Sequence, residues 1–197
     1  MTASTYRAVA IDYDGTLAQD GIVDPRTLTA LTELKAHGVL LVLVTGRQMG
    51  SLFGTFPHAN LFDRIVFENG ALLYTPSNGA CRLLSPPAPK ALVAMLEQRG
   101  VPFAVGSTVV ATAASYAPAV LSAIHELGLD WQITLNKGDA MALPAGVTKA
   151  TGLAPVLAEL GIPAAETIGV GDAENDHPVL ALCGLAVAVA YALPSRE

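Results

Sequence analysis

The chain alternates short unbroken apolar runs with amphipathic stretches. Ala8-Val9-Ala10-Ile11 contains no polar residue and stops at a charged turn, which is how a parallel strand buried on both faces reads. Asp24-Pro25 then offers an N-cap with proline at the first helical position. Leu28, Leu31 and Leu34 follow at helical spacing, and His37-Gly38 closes the helix. Val39 to Val44 is a second apolar run, broken by Thr45-Gly46-Arg47. A short helix is predicted over 48–54, and Ile65-Val66-Phe67 is a third strand ending in Glu68-Asn69-Gly70. Strand, helix, strand, helix, strand in this rhythm predicts an α/β fold with a doubly wound, mostly parallel sheet.

The rhythm then breaks. Pro76 to Pro89 is rich in Pro, Ser, Gly and Asn and reads as a linker. Beyond it the pattern predicts a helix (90–99), two strands (101–106 and 108–112), a helix (116–127) and two more strands (130–135 and 139–143). This αββαββ order differs from its flanks. Residues 80–146 are therefore expected to form an inserted small α+β domain, with 1–79 and 147–197 as the core. Pro144-Ala145-Gly146 returns the chain to the core. A helix (149–160) ending at Gly161, a strand (166–170), a helix (175–182) and a last strand (185–189) complete the prediction.

Composition narrows the function classes. Of 197 residues, 52% are hydrophobic and only 14% charged, which suits a well-buried α/β protein. A formal net charge of -6 without any basic run argues against a nucleic-acid partner, whose backbone demands clustered Lys and Arg. The apolar segment from Val179 to Leu193 is interrupted by Gly184 and is too short to span a bilayer, so no membrane partner is expected. Two cysteines in unrelated contexts, and Met1-Thr2-Ala3-Ser4 leading almost directly into a strand, predict a reduced cytoplasmic setting with free thiols.

Every polar cluster that ends an apolar strand falls at a carboxyl end, the edge where open α/β sheets bind ligands. Asp12 and Asp14 are two positions apart, and carboxylates so close repel unless a cation sits between them or one holds a proton. Either outcome serves catalysis, with one carboxylate as nucleophile and the other as acid and base. Gly171-Asp172-Ala173-Glu174-Asn175-Asp176 concentrates hard oxygen ligands of the kind Mg²⁺ takes, although an acidic helix N-terminus reads the same way. Glu174 is assigned to that second reading, as an exposed carboxylate. Thr45 and Gly46 offer a hydroxyl and a backbone N–H for phosphate oxygens. Arg47 is either a phosphate or substrate contact or a helix-start charge. Asn69, in Glu68-Asn69-Gly70, is a candidate substrate contact at the same edge. Lys149 stands where the chain re-enters the core. His177 and Cys183 are read as a surface residue and a small hydrophobe, and Trp131 as cap packing.

Taken in order, these residues resemble the haloacid dehalogenase superfamily of phosphohydrolases. Asp12-Tyr13-Asp14-Gly15-Thr16-Leu17 looks like its first motif and Thr45-Gly46-Arg47 like its second. Lys149 in Gly146-Val147-Thr148-Lys149-Ala150 looks like the third, and Gly171-Asp172-Ala173-Glu174-Asn175-Asp176 like the fourth. The insert between the second and third motifs is similar to the C2-type cap of the Cof-like branch, and its small size to that of archaeal-type phosphoglycolate phosphatases. The resemblance implies Asp12 as a nucleophile that becomes a phosphoaspartate and Asp14 as acid and base, with its backbone carbonyl on Mg²⁺. It implies Thr45 as a holder of the phosphoryl group and Lys149 as a neutralising cation. Asp172 would complete a metal site with Asp12 and Asp14, while Asp176 and Asn175 would support the metal or Lys149. The expected activity is Mg²⁺-dependent hydrolysis of a small phosphorylated metabolite by a monomer or homodimer. A phosphomutase of the same superfamily is the alternative enzyme. Relatives of this kind continue past Leu193-Pro194 with a further strand and helix, so a missing C-terminal segment is expected. A regulatory phosphatase-like domain of a larger ATPase-linked protein is accordingly the third reading. Scattered Arg82, Lys90, Arg99 and Lys137 spell no substrate code.

Overall fold

The computed structural model describes residues 6–136 and 138–189 of the chain. Strand β1 (Ala8–Ile11) is wholly buried. A small antiparallel hairpin follows, β2 (Ala18–Gln19) and β3 (Ile22–Val23), turning at Asp20 and Gly21, both with positive φ. Helix α1 (Pro25–Ala36) begins where Asp24 accepts a hydrogen bond from the Arg26 N–H at 2.7 Å, so the predicted N-cap and N1 proline are both in place. Then come β4 (Leu40–Val44), α2 (Met49–Thr55), β5 (Arg64–Phe67), a 3₁₀ turn at Glu68–Gly70, β6 (Leu72–Thr75) and β7 (Ala80–Leu83). The insert supplies α3 (Lys90–Gln98), β8 (Ala104–Val105), β9 (Val110–Ala113), α4 (Ala117–Glu126), β10 (Trp131–Asn136) and β11 (Asp139–Pro144). The chain then closes with α5 (Lys149–Leu160), β12 (Thr167–Gly171), α6 (His177–Leu182) and β13 (Leu185–Ala188).

A seven-stranded sheet in the order β13-β12-β1-β4-β5-β6-β7 carries the core. It is parallel from β13 to β5, and β6 and β7 are antiparallel additions. Successive side chains leave opposite faces of a strand, and the core divides accordingly. Val9, Ile11, Leu41, Leu43, Ile65 and Phe67 join Leu31 and Leu52 of α1 and α2 on one face. Ala8, Ala10, Val42, Val44 and Val66 join Leu153, Val156 and Leu157 of α5 and Val179 of α6 on the other. This two-faced burial explains why the central strands read as continuous apolar runs. A separate four-stranded sheet, β10-β11-β9-β8, is backed by α3 and α4 and forms the cap, with half-buried Trp131 in its hydrophobic cluster.

The structure corrects the predicted elements in three places. Residues 80–83 are not linker but the edge strand β7 of the core sheet, so the cap begins later than residue 80. The Pro, Ser, Asn and Gly of 76–79 make a hairpin turn there, with the Gly79 N–H donating to the Thr75 carbonyl. The first predicted cap strand shrinks to two residues. The predicted helix start at 175 is a 3₁₀ turn (Glu174–Asp176), with α6 beginning at His177. Strand 185–189 is seen as β13, and the Leu193-Pro194 region lies outside the described residues.

One close approach fixes the active edge. Gly152 of α5 packs against Gly70, and a Cβ on Gly152 would lie 2.4 Å from the Gly70 Cα. Gly70 itself has φ +109 and faces the Thr148 carbonyl. Only residues without side chains permit this contact. It brings the first turn of α5, and Lys149 with it, under the end of β5.

Candidate active site

The carboxyl ends of β1, β4, β5 and β12 and the start of α5 converge, as ligand sites in doubly wound sheets do. Lys149 is the first residue of α5, which Thr148 caps by accepting from the Thr151 N–H. Its ammonium is 2% exposed and donates to Asp12 Oδ1 at 2.5 Å and to Asp176 Oδ1 at 2.7 Å. Burial is the largest single influence on Lys149 and would lower its pKa, but the two carboxylates together outweigh it and the pKa is raised. Lys149 is therefore a fixed cation. Burial pushes Asp12 up to about 6 against the pull of Lys149, and the neighbouring Asp176 charge adds to the rise. Asp176 is fully used: its other oxygen, Oδ2, accepts from the Asp172 and Ala173 N–H groups at 3.1 Å each.

Asp172 ends β12, is buried, and accepts from the Thr16 hydroxyl at 3.1 Å. Asp12, Asp172 and Asp176 can each place one oxygen within 4.8 Å of the others. Three buried carboxylates face one buried ammonium, so a divalent cation would balance the remaining charge. The donors are all hard oxygens, which fits Mg²⁺. The Asp14 carboxylate is not one of these three.

Asp14 is instead gripped by Arg47, whose Nη2 and Nε donate to its two carboxylate oxygens at 2.7 and 2.8 Å. Arg47 also donates to Thr55 at 2.9 Å and lies 4.9 Å above the Tyr13 ring. The guanidinium thus lines the cavity and meets the Asp14 carboxylate as a two-pronged fork, a contact neither reading of the sequence included. Tyr13 turns away from the site into the core, bonding the Gly21 carbonyl at 2.9 Å.

Thr45 is fully buried at the end of β4, where its hydroxyl accepts from the Arg47 N–H at 3.0 Å. A Cβ on Gly46 would come within 3.1 Å of Asn69 Oδ1, so glycine lets that carboxamide lie alongside. Asn69 takes φ +55 and ψ +32, accepts from Asn175 Nδ2 at 3.3 Å, and directs its own Nδ2 at Met141 Sδ in the cap. Glu174 and His177 are exposed. Burial raises the Cys183 thiol to about 11, far from a nucleophile's range.

A cavity of about 540 Å³ opens between this edge and the cap sheet. Asp12, Asp14, Gly46, Arg47 and Asn69 form its floor, and Thr112, Thr134, Asn136, Asp139 and Met141 of the cap face them. Gln48, the N-cap of α2, and Ser51 within that helix also line it, and the sequence reading missed both because nothing in their spacing sets them apart. Arg82 is committed to an ion pair with Glu159 and Arg99 to one with Glu126, while Lys137 lies outside the described residues.

Comparison with known proteins agrees with this geometry. A phosphoglycolate phosphatase of Natronomonas pharaonis is 28% identical over 195 residues, covering 93% of this chain and 84% of the relative. A phosphoglycolate phosphatase of Sulfurisphaera tokodaii is 26% identical over 197 residues, covering 94% and 82%. The fold matches that of a haloacid dehalogenase-like hydrolase from Bacteroides thetaiotaomicron with a TM-score of 0.81 at 18% identity, over 96% of this chain and 90% of the other. The family model for haloacid dehalogenase-like hydrolases matches residues 9–116 and 125–196, which take in all four motifs, and the chain belongs to that family.

Proposed function

We propose that this protein is a Mg²⁺-dependent phosphatase that hydrolyses a small phosphorylated metabolite through a phosphoaspartate on Asp12. The observation that carries the reading is the buried Lys149 ammonium shared by Asp12 and Asp176, with Asp172 close by and Asp12 itself lining a cavity. Phosphoryl transfer asks mainly for alignment and charge neutralisation, and this arrangement supplies both.

In the first step an Asp12 carboxylate oxygen attacks phosphorus and the bond to the leaving oxygen breaks. Asp14, aimed by Arg47, gives that oxygen a proton. In the second step Asp14 takes a proton from water, whose oxygen attacks the phosphoaspartate, releasing phosphate and restoring Asp12. Lys149 offsets the negative charge gathered at Asp12 and the phosphoryl group throughout. The Thr45 hydroxyl and the Gly46 N–H hold non-bridging oxygens, and Asn69, which accepts from Asn175, borders the same space. Asp12, Asp172 and the Asp14 carbonyl would hold Mg²⁺, with Asp176 fixing Lys149 behind them. The ion, when bound, neutralises charge on the transferring group. Similarity to phosphoglycolate phosphatases makes phosphoglycolate the first substrate to try.

The test is phosphate release from a panel of phosphometabolites, phosphoglycolate among them, beside acetyl phosphate and p-nitrophenyl phosphate, with and without Mg²⁺. The proposal expects Mg²⁺-dependent release by the wild type and none by Asp12→Asn. Equal turnover by the two proteins would overturn it.

A further inference from the structure

Outside the charged cluster, the Glu68 carboxylate accepts three hydrogen bonds, and the mechanism above gives it no part. It directly follows β5 on the core, is 1% exposed, and takes φ +55, a left-handed conformation rarely seen for glutamate. Asn69 beside it is left-handed as well. Two consecutive residues in that region without glycine need an over-determining environment.

That environment is the cap. Glu68 Oε1 accepts from the Ser107 N–H at 2.8 Å, and Oε2 accepts from the Thr108 N–H at 2.9 Å and the Thr108 hydroxyl at 3.0 Å. These donors sit in the turn that joins β8 to β9. Gly106 completes the seat, since a Cβ there would fall 2.6 Å from Glu68 Oε1. An ionised carboxylate is acceptor-only and can satisfy three donors at once, which a carboxamide cannot.

The other end of the contact reaches the catalytic edge. The Glu68 N–H donates to the Arg47 carbonyl at 3.2 Å and the Asn69 N–H to the Thr45 carbonyl at 3.1 Å. On the cap side, β8 and β9 bring Ala104, Ala111 and Thr112 to the cavity wall. We infer that Glu68 is a positioning residue: a latch from core to cap that sets the height of the cap wall over the phosphoryl site. It acts on how the leaving group of the substrate is held, and it takes no proton and touches no reacting atom. Its sequence neighbour Asn69 lies between latch and cavity, which couples the two.

The test uses the full chain and a Glu68→Gln variant, whose carboxamide turns a donor toward the loop. Hydrogen–deuterium exchange is read at the Ser107 and Thr108 amides, with Trp131 emission as a check that the cap stays folded. Exchange there is expected to speed up by about tenfold or more, the factor that one charge-assisted hydrogen bond represents. Unchanged protection of both amides would overturn the inference, and this arm stands whether or not the phosphatase reading holds.

The second arm rests on that reading. kcat/KM for the best phosphomonoester of the panel is compared with that for acetyl phosphate, which gives the cap little to grip. The latch predicts a loss of about tenfold for the former and less than about threefold for the latter. Equal losses that track the folded fraction would mean a merely structural role and would overturn it.

Discussion

At the scale of the residue, the site is held together by a charge arrangement that costs the fold something. Asp12 binds its proton more tightly in the folded protein than the ordinary carboxylate value of 3.8, at about 6, chiefly because it is buried. An acid with a raised folded pKa favours folding at low pH and opposes it as pH rises from 3.8 through about 6. Above pH 7 the opposition reaches about 3 kcal/mol in the metal-free protein. In chelator the wild type should therefore lose up to about 3 kcal/mol of stability between pH 4 and pH 7.5 on account of Asp12, and Asp12→Asn should lose less over the same range. Urea unfolding at the two pH values measures this, and a variant whose stability falls as much as that of the wild type would contradict it. The gathering of Asp12, Asp14, Lys149 and Asp172 at one sheet edge was legible in the sequence, because each follows or begins an element whose apolar pattern is plain. The Arg47 grip on Asp14 was not, because a side-chain fork has no spacing signature. Nor was the Glu68 contact, since its donors lie about forty residues further along the chain.

Among elements, the one that positions chemistry most directly is α5, pressed glycine to glycine against the turn after β5. Alanine is the better helix former by about 1 kcal/mol, so propensity alone favours Gly152→Ala. The new methyl would meet the Gly70 Cα at 2.4 Å and Val66 Cγ1 at 2.8 Å, and overpacking of that kind costs about 1–3 kcal/mol. Sterics should win. Gly152→Ala is expected to unfold at lower urea and to lose phosphate release beyond its loss of folded protein, because Lys149 rides on the same helix. A variant as stable and active as the wild type would remove this account. The strands and helices of the parallel core were readable because two-faced burial writes itself as unbroken apolar runs. The β2–β3 hairpin escaped because two-residue strands carry no period, although Asp20-Gly21 is itself a turn signal. The β7 edge escaped for a related reason: its four residues are all exposed, so no buried face marks them.

For the whole molecule, a core that carries the charged cluster meets a cap sheet that forms the facing wall of the cavity. Among the described residues, no helix is long and apolar enough to cross a membrane. Three carboxylates around one ammonium leave the site short of positive charge, so ion binding should register in global stability. At Mg²⁺ a hundredfold above its Kd, the gain should be about 2.7 kcal/mol. Asp172→Asn should abolish most of it, and thermal melts with and without Mg²⁺ read the effect directly. An equal Mg²⁺ response from Asp172→Asn would move the ion elsewhere. The α/β class and the presence of a small inserted cap were both legible from the change in element rhythm. Where the cap begins was not, because a Pro/Ser/Asn/Gly tract serves a hairpin as well as a linker.

The central claim is covalent, and so is its most direct measurement. The wild type is mixed with Mg²⁺ and its best phosphorylated substrate, quenched in acid, digested, and examined by mass spectrometry. The account predicts one added phosphoryl group on the peptide that carries Asp12, and none in Asp12→Asn. Steady turnover with no phosphoryl group on Asp12, or with the group on another residue, would contradict it.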